Sequence, residues 1–204
     1  MTITKIRRQK NGRFAVYADG EYRLSLDERT LSQSGLEQGA EITQEKLDEL
    51  SGLAEDFRAV DRAMTILSLR DHSKEELRRK LAHTVGEEEA DKAADHMEVL
   101  GLVDDARYAE QLAEELLDLR LFGANRAAYE LTRRGIDREI AEELVTRLDT
   151  DPQARILRFL QKKYPRALED EQTRRRATAA LSRNGFRWED IRGAMSRFGE
   201  EEFE

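Results

Sequence analysis

Cysteine is absent from this chain of 204 residues, and proline occurs only twice. Without cysteine there can be no disulfide scaffold, no thiolate metal site and no thiol nucleophile. The sequence also lacks any run of about 20 apolar residues, so it predicts no transmembrane helix. The start of the chain carries basic side chains with no apolar stretch behind them, which is not the pattern of a secretory signal. We therefore expect a soluble protein in the cytoplasm.

Aromatic residues make up only 6% of the chain, and all hydrophobic residues together make up 39%. These low fractions favour several small cores over one thick core. Charged residues, in contrast, reach 38%, well above the roughly 25% of an average soluble domain.

The net charge of −8 is unevenly distributed along the chain. It is +3 over residues 1–30, −13 over residues 31–150, +6 over residues 151–199 and −4 over residues 200–204. One interpretation is an unspecific spread of solvated charge. The other is a partner-binding surface made of parts with opposite sign.

The N-terminal segment, residues 1–30, has the pattern of a β-meander. Three short segments of strand-forming residues are separated by Asn11-Gly12 and Asp19-Gly20. Both dipeptides favour the positive φ angles that tight hairpin turns require. A small sheet needs a cover on its apolar face. The candidate cover residues are Leu31, Leu36, Ile42, Leu47 and Leu50.

The remainder of the chain has helical spacing of its apolar residues. Ser73 to Glu76 has the sequence of a capping box, and Asp104, Asp137 and Asp151 are candidate N-caps. Gly135-Ile136 and Gly185-Phe186 are typical of helix ends, with a left-handed glycine and an apolar residue that packs back. Trp188, the only tryptophan, is predicted to pack in the core.

Leu81, Leu131 and Leu181 recur at equal intervals, and each is followed by a glycine. This recurrence predicts three tandem three-helix repeats that stack into an elongated, curved body. The fold class is therefore mainly α with a small antiparallel sheet at the N-terminus. The predicted divisions are a β-meander at 1–30, linking helices at 31–60, repeats at 61–105, 106–150 and 151–199, and an acidic tail at 200–204.

Several motifs in this order resemble the RecX family, regulators of the RecA recombinase. They are Leu-Arg-Asp-His-Ser-Lys-Glu-Glu-Leu-Arg-Arg-Lys-Leu at 69–81, Gly-Leu-Val-Asp-Asp-Ala-Arg-Tyr-Ala at 101–109, Gly-Ala-Asn-Arg at 123–126 and Arg-Arg-Gly-Ile at 133–136. The resemblance implies a non-enzymatic negative regulator. Such a protein binds the groove of the RecA–DNA filament and inhibits its ATPase, strand-exchange and co-protease activities in the SOS response and recombinational repair.

The residues themselves give little support for an enzyme. The three histidines, at positions 72, 83 and 96, do not have metal-ligand spacing, and no phosphate-binding loop of the Gly-x-x-x-x-Gly-Lys-Ser/Thr type occurs. We expect no catalytic site, metal or cofactor, and no membrane partner. We expect the chain to act as a monomer.

Basic clusters in the second and third repeats are the candidate contacts with the RecA filament or its DNA. They are Arg126, Arg133, Arg134, Lys162, Lys163, Arg174, Arg175, Arg176 and Arg183. Weak binding of single- or double-stranded DNA through the third repeat is also compatible with these clusters. The alternative functions are a stand-alone helical-repeat DNA-binding protein and a structural adaptor.

Overall fold

A computed structural model describes residues 1–165, 167 and 170–200, with the backbone alone for residues 198–200. The chain forms two compact units. The first unit contains Met1–Arg70 and Leu77–Leu102, and the second contains Asp71–Glu76 and the chain from Val103 onward. The predicted acidic tail at 200–204 lies, apart from the backbone of Glu200, outside the described residues.

The first unit begins with the predicted three-stranded meander. Strands β1 (Ile3–Arg8), β2 (Phe14–Ala18) and β3 (Glu21–Leu26) pair antiparallel in the order β1-β2-β3. At the second hairpin, Asp19 and Gly20 have φ angles of 51° and 86°. These values match the primed turn that such a dipeptide favours, so this part of the prediction is confirmed.

Two helices follow the sheet, α1 (Glu28–Ser34) and α2 (Gln44–Leu67). The cover predicted for the sheet is confirmed: Ile42, Leu47 and Leu50 are buried in the core with the inner face of the sheet, and Leu31 and Leu36 pack at its margin.

The predicted boundary between residues 60 and 61 lies inside α2. Ala54, Ala59, Ala63 and Ile66 are all buried, and they continue the buried face of α2 across this point without a stop signal. Helix α3 (Lys74–Ala82) and helix α4 (Glu87–Val99) come next, and α4 packs against α2 within the first unit.

The second unit contains two groups of helices with separate cores. In the first group, α5 (Asp105–Glu114) continues into a π-helical turn (Glu115–Leu119) and is followed by α6 (Ala124–Arg133) and α7 (Arg138–Leu148). Leu117, Leu131 and Val145 are central in its core.

The second group consists of α8 (Pro152–Lys163), α9 (Glu171–Arg183) and α10 (Trp188–Glu200) around Ile156, Leu160 and Leu181. The boundaries of the three repeats stay a prediction, but their mainly helical class with a small N-terminal sheet is confirmed.

Helix ends in the second unit follow the predicted signals. The side chains of Asp104, Asp137 and Asp151 accept backbone N–H bonds at the starts of α5, α7 and α8. Gly135 and Gly185 have φ angles of 93° and 84°, and the next residue at each site is buried. These caps therefore end the helices as expected.

The prediction for Trp188 was wrong. Its side chain is 63% exposed, whereas Phe186, two positions earlier, is 5% exposed. Because Phe186 already fills the end of this core and Trp188 is the first residue of α10, the indole projects past the bundle.

Candidate partner-binding surface

Two tight contacts in the second unit involve the glycine turns after α6 and after α9. In the first, which we call the Gly135 joint, residues 134–136 meet the start of α3 at residues 73–76. In the second, the Gly185 joint, residues 184–186 meet the start of α6 at residues 123–126. Residues 123–126 and 184–186 of the second joint follow residues 73–76 and 134–136 of the first at the interval that separates Leu81 from Leu131. The same kind of contact therefore occurs twice.

The Gly185 joint is made mainly by backbone. The Gly123 N–H donates to the carbonyl of Asn184 at 2.8 Å, and the Asn125 N–H donates to the carbonyl of Gly185 at 3.3 Å. A Cβ atom on either Gly123 or Gly185 would overlap backbone atoms of the other side. Glycine is therefore required at both positions by close approach.

Arg126 belongs to this joint. Its Nη1 donates to the carbonyl of Arg183 at 3.2 Å, and its guanidinium lies 4.6 Å from the centre of the Phe122 ring. Its Nη2 is 3.7 Å from a carboxylate oxygen of Glu130. The side chain is thus held by three contacts within the second unit, and its first role is structural.

The Gly135 joint uses side chains. The Ser73 hydroxyl donates to the carbonyl of Arg134 and accepts the N–H of Glu76 at 3.0 Å. Arg134 Nη1 lies 3.4 Å from Glu76 Oε2 and 3.3 Å from the Tyr108 hydroxyl. The sequence identified Arg134 as a partner contact, but its guanidinium is engaged in this network.

An exposed basic cluster lies on α9. Arg174, Arg175, Arg176 and Arg183 are all exposed, while Ala177 and Leu181 form the buried face. Arg176 and Arg183, seven positions apart, share one side of the helix, Arg175 lies opposite the buried face, and Arg174 lies on the other side. We call these four residues the α9 stripe. The fold brings these four predicted residues together on one helix.

The N-terminus of α9 is capped by Asp170. The Thr173 hydroxyl and the backbone N–H of Thr173 both donate to its carboxylate, and these bonds lower the pKa of Asp170. Arg175 pairs with Glu171 one turn earlier at 3.0 Å. Such an exposed pair adds little stability, so the Arg175 guanidinium can exchange this partner for another anion at small cost.

The other predicted cations are distributed more widely. Lys162 and Lys163 are exposed at the end of α8, where Lys163 Nζ lies 5.3 Å from the centre of the Phe159 ring. Arg133, at the end of α6, pairs with Glu130 at 3.1 Å. Glu130 thus lies between Arg126 and Arg133 and reduces the positive charge on that side of α6.

An open groove of about 660 Å³, which no sequence pattern indicated, lies beside α6 and α7. Tyr129, Arg138 and Arg187 are on its walls, with Ala124 and Ala128 among its lining. A smaller adjoining cavity of about 120 Å³ contains Asp190. Burial, together with the nearby negative charge of Asp149, raises the pKa of Asp190 above its usual range.

A buried ion pair next to this cavity was also missed. Arg155 Nη1 and Asp149 Oδ1 are 2.5 Å apart, and both side chains are less than a tenth exposed. A basic residue on a helix is normally assigned to the solvent face, so no sequence signal indicated that Arg155 points inward. The pair holds the start of α8 against the end of α7.

Among the described residues, no three His, Asp or Glu side chains are grouped so that they could hold a metal ion. No helix in the described part of the chain is long and apolar enough to span a membrane.

The chain is similar to known proteins over most of its length. Residues 1–43 match the family model described as the regulatory protein RecX N-terminal domain, and residues 104–145 match the RecX second three-helix domain. The regulatory protein RecX of Clostridioides difficile (strain 630) is 27% identical over 200 residues, which cover 96% of this chain and 94% of that protein. The one of Chlorobium phaeobacteroides (strain BS1) is 31% identical over 145 residues, covering 70% and 95% of the two chains.

Solved structures show the same fold. A crystal structure of regulatory protein RecX superposes with a TM-score of 0.69 at 20% identity, covering 96% of this chain and 98% of the other. RecX from Lactobacillus salivarius gives a TM-score of 0.62 at 21% identity, covering 71% and 97%. Because the sequence matches cover both the sheet and the helices and the fold agrees, the chain belongs to the RecX family of regulatory proteins.

Proposed function

We propose that the chain is a negative regulator of RecA that binds in the groove of the RecA–DNA filament. Membership of the RecX family is the observation that carries this proposal. Bound there, the chain lowers ATP hydrolysis, strand exchange and co-protease action during the SOS response and recombinational repair. It acts in the cytoplasm as a monomer, without catalysis of its own.

The α9 stripe is the proposed contact with the filament. Its four arginines are exposed on one helix, and a guanidinium fork suits both carboxylates and phosphates. Acidic walls of the groove or the phosphates of the enclosed DNA are therefore suitable partners. Lys162 and Lys163 at the end of α8 are the second proposed contact.

Arg126 and Arg134 have a different role in this proposal. Since both are tied to the joints, they fix the relative placement of neighbouring helices inside the second unit. Arg133 remains a candidate contact that must first exchange its ion pair with Glu130.

The acidic composition of residues 31–150 supports a protein–DNA filament as the partner over naked DNA. A charge of −13 on this part of the chain opposes close approach to a free phosphate backbone. A filament offers protein surface as well as DNA, so regions of opposite charge can each find a complementary surface.

The test is a titration of RecA ATPase on single-stranded DNA with wild-type chain and with the Arg174→Gln, Arg175→Gln, Arg176→Gln triple variant. Wild-type chain should inhibit, and the triple variant should need about tenfold more protein for the same inhibition, because three exposed charge contacts are lost.

A matched control removes three exposed arginines from the same unit at other places, namely Arg107, Arg120 and Arg147. This control should inhibit like wild type. Equal inhibition by all three proteins would remove the α9 stripe from the interface. Tight binding of wild-type chain to naked DNA with no effect on the ATPase would instead favour a stand-alone DNA-binding protein.

A further inference from the structure

The N-terminal sheet has one face that lies away from the core of the first unit. One row of paired residues across the three strands contains Lys5, Tyr17 and Tyr22. A second row contains Arg7, Ala15 and Ser25. Since alternate residues of a strand point to opposite faces, these two rows form the outer face. The neighbouring row of Ile6, Val16 and Leu24 belongs to the core.

We propose that this outer face is a binding platform for single-stranded nucleic acid. The site is separate from the α9 stripe, and the inference does not depend on the proposed action on RecA. It gives a function to the β-meander, which the helical repeats leave unexplained.

Positive charge surrounds this face of the sheet. Lys5, Arg7 and Lys10 are exposed, and their side chains make no ion pair or hydrogen bond with the described part of the chain. The strands and their turns contain six basic residues and only two acids, Asp19 and Glu21. Asp19 accepts the N–H of Thr2 at 2.8 Å, and Glu21 pairs with Arg23 at 3.1 Å. Lys5 and Arg7 on this face, and Lys10 in the turn after β1, are therefore available for phosphates.

An aromatic pair lies beside these cations. The rings of Tyr17 and Tyr22 are 5.9 Å apart in an edge-to-face arrangement, and Tyr22 is 55% exposed. An exposed aromatic ring on a sheet, next to basic side chains, is the arrangement on which unpaired bases stack. Neither tyrosine belongs to the core, which lies on the other side of the sheet.

Hydrogen bonds on the same face hold polar side chains in place. Arg13 Nη2 donates to the carbonyl of Ser25 at 2.6 Å, and the Ser25 hydroxyl donates to Gln9 Oε1 at 3.0 Å. These bonds hold Arg13 across the strands, next to the small side chain of Ala15. A sheet face with fixed polar groups suits an extended strand of nucleotides more than a bulky duplex.

The proposed platform is tested by fluorescence anisotropy with a labelled oligothymidylate twelve nucleotides long. The measurements use full-length chain carrying the Arg174→Gln, Arg175→Gln, Arg176→Gln changes, so that binding by α9 does not obscure the result. Because three cations contact phosphates, a plot of the logarithm of the association constant against the logarithm of the salt concentration should have a slope of about −2.

Two variants probe the aromatic ring and the cations separately. Tyr22→Ala should weaken binding about tenfold through the loss of one stacked base, and Tyr22→Phe should restore it. Lys5→Gln with Arg7→Gln should reduce the salt slope to about −0.7, because two of three phosphate contacts are lost. Tyr22 and both cations are exposed, so the variants should melt at the wild-type temperature.

Matched controls change similar residues elsewhere. Tyr129→Ala removes a tyrosine that is 62% exposed in the second unit, and Arg62→Gln with Arg107→Gln removes two exposed charges. Both controls should bind the oligonucleotide like their parent.

Three results would overturn the platform. They are unchanged binding by Tyr22→Ala, an equal loss in Tyr129→Ala, and displacement of the oligonucleotide by decaglutamate as efficiently as by unlabelled oligonucleotide. The last would assign the face to an acidic protein segment. Because RecA is absent from this assay, its outcome is independent of the ATPase titration.

Discussion

The Gly135 joint and the Gly185 joint occupy equivalent places in successive repeats, but they are built differently. At the first, the hydroxyl of Ser73 donates to the carbonyl of Arg134. At the second, the backbone N–H of Gly123 donates to the carbonyl of Asn184. The acceptor is equivalent in both, and the donor changes from a side chain to the main chain.

This difference teaches what the repeat requires. Each joint requires a hydrogen-bond donor at the start of one helix. This donor bonds to the backbone carbonyl of the residue that precedes a glycine with positive φ. When the donor is a serine hydroxyl, the glycine faces a side chain, that of Glu75. When the donor is a backbone N–H, the two backbones touch and only glycine fits on both sides. The Gly185 joint should therefore be the less tolerant of the two.

The largest expected effect is that of Gly185→Ala. The new Cβ would overlap the backbone and Cβ of Arg126, and alanine would have to adopt a φ of 84°. We expect a loss of about 3 kcal/mol in the free energy of unfolding, measured by urea denaturation. As a control, Gly52→Ala lies within α2 with no neighbour near its Cβ and should stabilise the chain by about 0.8 kcal/mol.

Gly135→Ala should cost less, about 2 kcal/mol. Alanine would also need a positive φ here, but its Cβ would meet Glu75 Cβ at 2.6 Å and Glu75 Cγ at 2.8 Å, which belong to a side chain. A cost above that of Gly185→Ala in the same urea experiment would contradict the distinction between the joints.

Ser73→Ala should cost about 1–2 kcal/mol, because both the helix cap and the donor to the Arg134 carbonyl are lost. Ser182→Ala, at an exposed position of α9, is the matched control and should leave the unfolding midpoint unchanged. If Ser73→Ala were equally neutral, the hydroxyl would not be the element that links the Gly135 joint.

The smallest effect concerns pH at the Gly185 joint, where Asp190 shares a cavity with Phe186 and Ala124. Burial raises the pKa of Asp190, so the folded state holds this proton more tightly than the unfolded state. The associated stability is present below the unfolded pKa and is lost as pH rises through the folded pKa. Asp190→Asn should therefore give a small rise in Tm at pH 7 and none at pH 3, whereas a fall in Tm at pH 7 would reverse the assigned sign.

Much of the fold could be predicted because its signals are local. Turn dipeptides located the meander, aspartate caps located the starts of α5, α7 and α8, and glycine stops located the ends of α6 and α9. The repeat interval also relates the two joints, since Ser73 and Gly123 are separated by it. The contacts within each joint could not be predicted from the sequence. Ser73, for example, lies at a helix start and contacts a turn 61 positions later in the chain.

The sequence predicted less well which side chains point into the core and which point into solvent. Trp188 is apolar but projects into solvent, and Arg155 is basic but points inward to Asp149. Phe186 already fills the core beside Trp188, and Asp149 pairs with Arg155 inside the protein; hydropathy reports neither of these neighbours. For the same reason the sequence did not separate Arg126, which is held in a joint, from the exposed arginines of α9.

The proposed function is tested most directly by the ATPase of RecA filaments assembled on single-stranded DNA, measured while wild-type chain is added. We predict a saturable fall in the rate of ATP hydrolysis that the α9 triple variant reproduces only at about tenfold higher concentration. An ATPase rate that stays constant at every concentration, with the chain folded and in excess over RecA, would contradict the proposal.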